Sequence, residues 1–507
     1  MRLLRLIAAA TCGAALLATA CSVPAAPQSG NEVAHSFLDV ASASATTDAE
    51  GLGPDDIASA YALSGGSTGT VAVVTAYSNP TLEADLGVYR ANYGLPAMST
   101  AAGNLTIVDQ DQATSPLPTT PASGETAADV TSWGEETSLD VDAVSAACPD
   151  CSILVVEAKS DSMSNLGAAV NTAVAMHATA VSASWGDSEW SSWKTISDEY
   201  FTHPGVPIVA AAGDSGYGDA VIPAVLPNVI AVGGTTLTGT GAGTALRTYD
   251  VVGGSVTAAT STATIAADKK ALAKAKAAYA ASRKRVTTIT HRLHAAKAKQ
   301  KHAATAHLRL HWKHRAAALT KALRTAEKAR TAAAHRVKAA SSKLAADLLC
   351  SSGTSTTAAR AGQASRSGWI ETAWNQAGSG CSDYVPHQSW QPTTACAKRG
   401  VSDISADADP DTGLSVYDSS APASDTGTGW LVAGGTSLAA PLIAGMLVRS
   451  GHAASYSTAQ PLYEDSSAFW DVTSGSNGVC TKAALCTAGT GYDGPTGIGT
   501  PKSLSSF

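Results

Sequence analysis

Aromatic side chains are scarce, at 5% of 507 residues with only 4 phenylalanines, so any core must be built from Ala, Val, Ile and Leu. A hydrophobic content of 45% still allows a sizeable one. Histidine is scarce where chemistry would want it. Of 12 histidines, 7 lie between His291 and His335, leaving His35, His177, His203, His387 and His452 elsewhere. A hydrolase built on an imidazole base has little to draw on. Cys148-Pro149-Asp150-Cys151 has no second Cys-x-x-Cys to complete a zinc site, and no thioredoxin-like pattern surrounds it. Beyond the N-terminus no apolar run is long enough to span a bilayer. Glycine and proline are missing altogether from residues 266–349, so nothing there breaks a helix.

Those same residues are also short of acid. Residues 268–347 hold 21 Lys/Arg against 3 Asp/Glu, a net of +18, which leaves the rest of the chain at −25 within an overall −7. A basic module has been set into an acidic body. Leu272, Tyr279, Val286 and Leu293 recur every seventh residue, and a second seam runs from Trp312 to Leu344 in steps of four and three. Both read as coiled-coil seams, and the expectation is a long α-helical hairpin over 251–368 that turns within 299–306. One long kinked helix is the alternative.

The remainder reads as α/β. Short, nearly all-apolar segments at 70–77, 105–108, 152–158, 180–185, 206–212 and 229–232 alternate with helical spacing at 82–93, 126–147, 165–177 and 190–201. Such alternation predicts a doubly wound, mainly parallel sheet covered on both faces, with its site at the carboxyl ends of the strands. The body occupies 51–250 and resumes over 369–507. Residues 22–50, rich in Ala, Ser, Pro and Thr, read as a flexible tether. Residues 1–21 read as a secretory signal, with Met1-Arg2-Leu3-Leu4-Arg5 preceding an apolar run. Leu17-Ala18-Thr19-Ala20-Cys21 fits a bacterial lipobox, in which Cys21 is lipidated and anchors the protein to the outer face of the membrane. Ordinary cleavage and release is the other reading. Export permits disulfides, for which Cys148/Cys151, Cys381/Cys396 and Cys480/Cys486 are the local pairs; Cys350 is left over.

Three stretches carry candidate chemistry. Gly434-Gly435-Thr436-Ser437 precedes an apolar helical run, so Ser437 is either a helix cap or a nucleophile at a helix N-terminus. Trp133-Gly134-Glu135-Glu136-Thr137-Ser138-Leu139-Asp140 places Glu136 and Asp140 one turn apart. That face is either solvated or a buried pair sharing a proton, which would make a usable base. Asp214, in Gly213-Asp214-Ser215-Gly216, is either a turn residue or a protonated acid aimed at an oxyanion.

Glu-x-x-x-Asp, Gly-Asp-Ser-Gly and Gly-Thr-Ser-x-x-x-Pro, in this order, resemble the sedolisins, the serine-carboxyl peptidases with a subtilisin-like fold. The resemblance covers about 51–250 and 369–501 and takes in Ala76-Tyr77-Ser78-Asn79-Pro80 and Trp369-Ile370-Glu371-Thr372-Ala373-Trp374-Asn375. It implies a secreted acid endopeptidase acting on proteins or peptides, with Ser437 as nucleophile, Glu136 as base, Asp140 tuning Glu136, and Asp214 as oxyanion donor. Ser184, Trp185 and Gly186 would pair with substrate backbone. One calcium ion would be held by the side chains of Asp471 and Asp493 and the backbone oxygens of Val472, Gly489 and Gly491, a set of hard oxygen donors. A plain glycine-rich loop is the other reading of that segment. Two features depart from the family: no long propeptide is expected between the signal and the body, and the basic arm has no counterpart. A catalytically silent relative that displays the arm is the rival reading. The arm itself either merely stays solvated, binds an anionic envelope polymer or lipid surface, or docks on the acidic body. Nucleic acid is disfavoured, since Tyr279 and Trp312 are its only stacking residues. A monomer is expected.

Overall fold

The computed structural model describes residues 34–40, 49–121, 127–218, 220–239, 368–392, 396–420 and 429–507, with separate positions between 267 and 336. Two compact units are distinguished, one made of residues 32–252 with 359–507, the other of 253–358 with 1–31.

In the first unit, β1 (His35–Ser36) and β2 (Asp39–Val40) are followed by α1 (Pro54–Ala60), β3 (Thr70–Ala76), α2 (Leu82–Asn92), β4 (Leu105–Asp109) and α3 (Ala127–Ala147). Then come β5 (Ser152–Ala158), α4 (Met163–Ala175), β6 (Ala180–Ala183), β7 (Trp185–Ser188), α5 (Trp193–Tyr200), β8 (Ile208–Ala211), β9 (Val221–Ile222) and β10 (Val229–Gly239). The second half adds β11 (Trp369–Ala373), β12 (Gly380–Pro386), β13 (Lys398–Val401), β14 (Ile404–Asp407), β15 (Leu414–Asp418), β16 (Gly429–Gly434) and helix α6 (Thr436–Ser450).

The main sheet runs β11-β10-β8-β6-β3-β5-β4, with β14 also on β10. All its pairings are parallel except β11 on β10. Why the strands are apolar at nearly every position is visible in β3. Val71 and Val73 point to one core, which holds Leu139 and Val144 of α3 and Leu438 and Ile443 of α6. Ala72 and Val74 point to the other, which holds Leu166 and Val170 of α4. A sheet covered on both faces leaves no polar alternation. The expected doubly wound arrangement is therefore what forms. Strand β10 outlasts its expected four residues because its polar, glycine-rich end pairs with β14 and β11. The three expected disulfides are present. Among the described residues no helix is long and apolar enough to cross a membrane.

The tether expected over 22–50 does not extend through residues 34–40. Strand β1 adds antiparallel to β7, and β2 adds antiparallel to β16. Phe37, Leu38 and Val40 pack on the core, so this short piece has both backbone partners and apolar contacts to hold it. In the other unit the described positions are mainly helical, with a bend at Thr305 inside the expected turn, and the Lys299 ammonium lies 4.8 Å from the Trp312 ring centroid. The rest of the expected hairpin, the signal, Cys21 and Cys350 lie outside the described residues.

Candidate active site

The site is assembled at the N-terminus of α6. Gly435 enters it at φ +91°, and a Cβ there would meet the Phe37 carbonyl oxygen at 1.7 Å and Asp214 Oδ2 at 2.7 Å. Both conformation and space demand glycine. The turn makes Gly435 the N-cap and Ser437 the second residue of the helix, so the serine is not the cap. Its hydroxyl reaches Glu136 Oε2 at 3.0 Å and the Ser184 carbonyl at 3.1 Å, and accepts from the Phe37 N–H at 3.1 Å. Residues 436–448 are all buried, so the serine is shielded from solvent.

Glu136 and Asp140 lie in the middle of the 21-residue α3, which packs against α6. Both are fully buried, which rules out the solvated-face reading. Burial pushes both carboxyls well above the usual range, and Asp140's charge pushes Glu136 further. Hydrogen bonds oppose this only in part: from Ser437 and Ser36 to Glu136, and from Ser184 Oγ to Asp140 Oδ1 at 2.6 Å. Glu136 Oε1 and Asp140 Oδ2 are buried with no hydrogen-bond partner among the described residues. Two such carboxylates one turn apart cannot both ionise cheaply, so they titrate as a unit.

Asp214 leaves the end of β8 and is tied to the same helix start. Its Oδ1 accepts from the Thr436 N–H at 2.9 Å and the Thr436 hydroxyl at 2.8 Å, and that hydroxyl accepts from the Gly213 N–H at 3.0 Å. Its Oδ2 faces Gly435. Three segments far apart in sequence thus meet within one turn of α6. The sequence model of the subtilase family matches residues 120–463, which takes in all of them.

The chain belongs to the subtilase family.

Kumamolisin of Bacillus sp. (strain MN-32) is 33% identical over 150 residues, which is 26% of this subtilase and 26% of that protein, so the match spans about a quarter of the relative's length. Pseudomonas sedolisin, a serine-carboxyl proteinase solved with two molecules of pseudo-iodotyrostatin, superposes with a TM-score of 0.50 at 20% identity. That superposition covers 90% of this chain and 96% of that one and shows a shared fold.

Two further parts of the subtilase bear on the site. Ser184 lies between β6 and β7, and Trp185 and Gly186 begin β7, where Trp185 is buried with its indole N–H on the Val74 carbonyl at 2.8 Å. The other is the C-terminal loop. Asp471 Oδ2 accepts from the Gly491 N–H and Asp493 Oδ2 from the Gly489 N–H, each at 2.9 Å. Burial pushes Asp493 up to about 7, its hydrogen bonds to Gly489 and Thr496 oppose this, and the charge of Asp471 adds to the rise. Among the described residues no three His, Cys, Asp or Glu side chains gather for a metal. A cation here must draw on backbone oxygens as well, as the expected set does. The two carboxyls lie near enough for the charge of Asp471 to raise Asp493, and both are hard oxygen donors of the kind calcium takes.

Thr436, Ser36 and Phe37 are site residues that sequence reasoning passed over. Thr436 lies inside the Gly-Thr-Ser motif, where only the serine drew a role. For the other two, one signal was available: Phe37 is one of four phenylalanines in the chain, placed in an otherwise featureless stretch.

Proposed function

We propose that this subtilase is a secreted serine-carboxyl endopeptidase that hydrolyses peptide bonds in acid. The observation that carries the reading is the 3.0 Å approach of Ser437 Oγ to a buried carboxylate, Glu136, one helical turn from the buried Asp140 whose charge raises it. Ser437 attacks the substrate carbonyl as Glu136 takes its proton. Asp140 shares a proton with Glu136 and sets its basicity. Asp214, protonated and pinned by Thr436, donates to the developing oxyanion. Glu136 then returns the proton to the leaving amine, and water repeats the sequence on the acyl-enzyme. The silent alternative has no observation in its favour, since all four side chains are in place. The three disulfides support an exported protein. The basic arm is proposed to attach it to an anionic surface.

The pair ionises in two steps. Loss of the first proton creates the base. Loss of the second puts two like charges in a dry site, which is unfavourable. Activity on a denatured protein substrate is therefore expected in acid and should fall about tenfold per pH unit on the alkaline limb. No hydrolysis between pH ~3 and ~8 would sink the reading. So would a rate that climbs steadily to the alkaline end, as an imidazole base gives.

Calcium held by Asp471, Asp493 and the backbone oxygens of Val472, Gly489 and Gly491 would supply structural stabilisation only. At a pH near 7 calcium is expected to raise Tm by about 5 °C, with a chelator reversing it. The effect should shrink in acid, where protons compete for Asp493. A Tm indifferent to calcium and chelator alike removes the site.

A further inference from the structure

The turn end of the basic arm carries a surface that a merely solvated coiled coil does not need. Helix begins after the bend at Thr305, whose hydroxyl accepts from the Leu308 N–H at 3.2 Å and whose carbonyl accepts from the Arg309 N–H at 3.0 Å. Residues 307–315, His-Leu-Arg-Leu-His-Trp-Lys-His-Arg, are helical throughout. Among the described residues four large apolar side chains stand exposed, and two of them are here, Leu308 at 44% and Leu310 at 52%. Residues two apart lie on nearly opposite sides of a helix, so each is exposed for its own reason. Leu308 is one turn before Trp312 and continues its seam toward the bend. Trp312 is partly buried, with the Lys299 ammonium 4.8 Å from its ring centroid. Leu308 overruns that contact and is left in water. Leu310 stands on the other side, where a helix that stays in water carries a polar residue. Cations surround both: Lys313 is exposed, and the Arg315 guanidinium lies 5.9 Å from the Trp312 ring centroid.

We infer that Leu308, Leu310 and Trp312 form a wedge that seats the turn of the arm in the surface of an anionic lipid bilayer, with Lys299, Lys313 and Arg315 on its headgroups. The inference rests on the reading of the arm as an attachment device and is independent of the peptidase chemistry. A dissolved polyanion is met by charge alone and gains nothing from two exposed leucines. A second copy of the arm would bring the same net +18 and be repelled. A bilayer uses every part of the tip. The leucines on both sides of the first turn enter the acyl boundary end-on. The indole sits at headgroup level, and the lysine and arginine side chains lie along it and reach back to the phosphates.

Full-length protein carrying Cys21→Ser, so that no lipid on that residue contributes, is mixed with vesicles of equal parts phosphatidylglycerol and phosphatidylcholine. Bound protein is measured by sedimentation. Binding is expected, with tryptophan emission shifting to shorter wavelength in this parent and not in its W312F variant. L308S/L310S leaves every charge in place and should weaken vesicle binding by on the order of 10²-fold or more. Vesicles of phosphatidylcholine alone should bind the parent at least about tenfold more weakly. Dextran sulfate, a polyanion with no apolar phase, should bind parent and double variant equally. Should the double variant lose helix by circular dichroism, L308S and L310S taken singly carry the test, each weakening vesicle binding about tenfold or more. Vesicle binding that survives the leucine changes overturns the wedge, as does an emission shift undiminished in W312F. Binding to dextran sulfate with none to vesicles also overturns it and leaves the attachment reading standing. Binding to neither overturns both.

Discussion

The Glu136→Gln variant is expected to lose turnover by on the order of 10³-fold while remaining folded, and to be more stable than wild type at pH ~7. Glutamine keeps the volume of the side chain and an oxygen able to accept from Ser437, but it cannot take the serine proton. Its amide hydrogens can be offered to Asp140, one turn on. The stability half of the expectation follows from the sign of the shift. Burial, then Asp140, raise the Glu136 carboxyl well above 4.5. The folded chain therefore holds a proton that the unfolded chain releases once pH passes the ordinary glutamate value of about 4.3. Between that pH and the raised value the unfolded state binds fewer protons, so stability falls as pH rises. Glutamine has no proton to lose and escapes the fall. Paired measurements of kcat and of Tm at pH ~3 and ~7 check both halves. Near-normal turnover would name another base, and an unfolded variant would make Glu136 structural. The same direction holds for Asp140, Asp142 and Asp407, each raised first by burial, for Asp409 at about 6 and for Glu157 at about 8. These directions predict a fold more stable in acid than at neutral pH, the condition the proposed chemistry requires.

Much of this was legible because it is local. The strands announced themselves as short apolar runs, since both faces of the sheet are covered. The four-residue spacing of Glu136 and Asp140 is enough by itself to put them on one helix face. Whether that face was wet depended on α6, some 300 residues away, and no local pattern encodes it. Segment 34–40 was illegible for the same reason. Its strands exist because β7 and β16 offer free edges, and those edges come from residues 185–188 and 429–434. The end of β10, Gly233-Gly234-Thr235-Thr236-Leu237-Thr238-Gly239, is a strand only because β14 and β11 arrive after the inserted module. Long-range pairing overrode local composition in each case.

The opposite signature, stability lost with chemistry kept, is expected for Asp403→Ala. Arg399 and Asp403 are both fully buried at the β13–β14 junction and form a two-pronged pair, with Nη1 to Oδ1 at 2.7 Å and Nη2 to Oδ2 at 2.5 Å. The carboxylate also accepts from the Tyr463 hydroxyl and the Ala231 N–H, each at 2.8 Å, and the guanidinium stacks 5.2 Å from the Trp390 ring centroid. Removing the carboxylate strands a permanently charged guanidinium away from water and leaves two donors unanswered. Losing one partner of a buried pair costs about 3–5 kcal/mol. That is a fall of roughly 10²- to 4 × 10³-fold in the folding equilibrium constant. Urea unfolding of D403A against the double variant R399M/D403L checks the cause, because the double variant removes the stranded charge and should recover most of the loss. If both variants lose equally, packing is responsible and the charge is not. The pair nonetheless has a route to the catalytic serine. It fixes the start of β14 against β10, and just past the end of that strand the Ala408 carbonyl accepts from Gly435 N–H at 2.6 Å. That hydrogen bond holds the turn that delivers Ser437. D403A should therefore show near-normal kcat per folded molecule at low temperature and lose it in step with unfolding as the temperature rises. A kcat already depressed where the protein is fully folded would mean that the strain reaches Gly435 before the fold gives way.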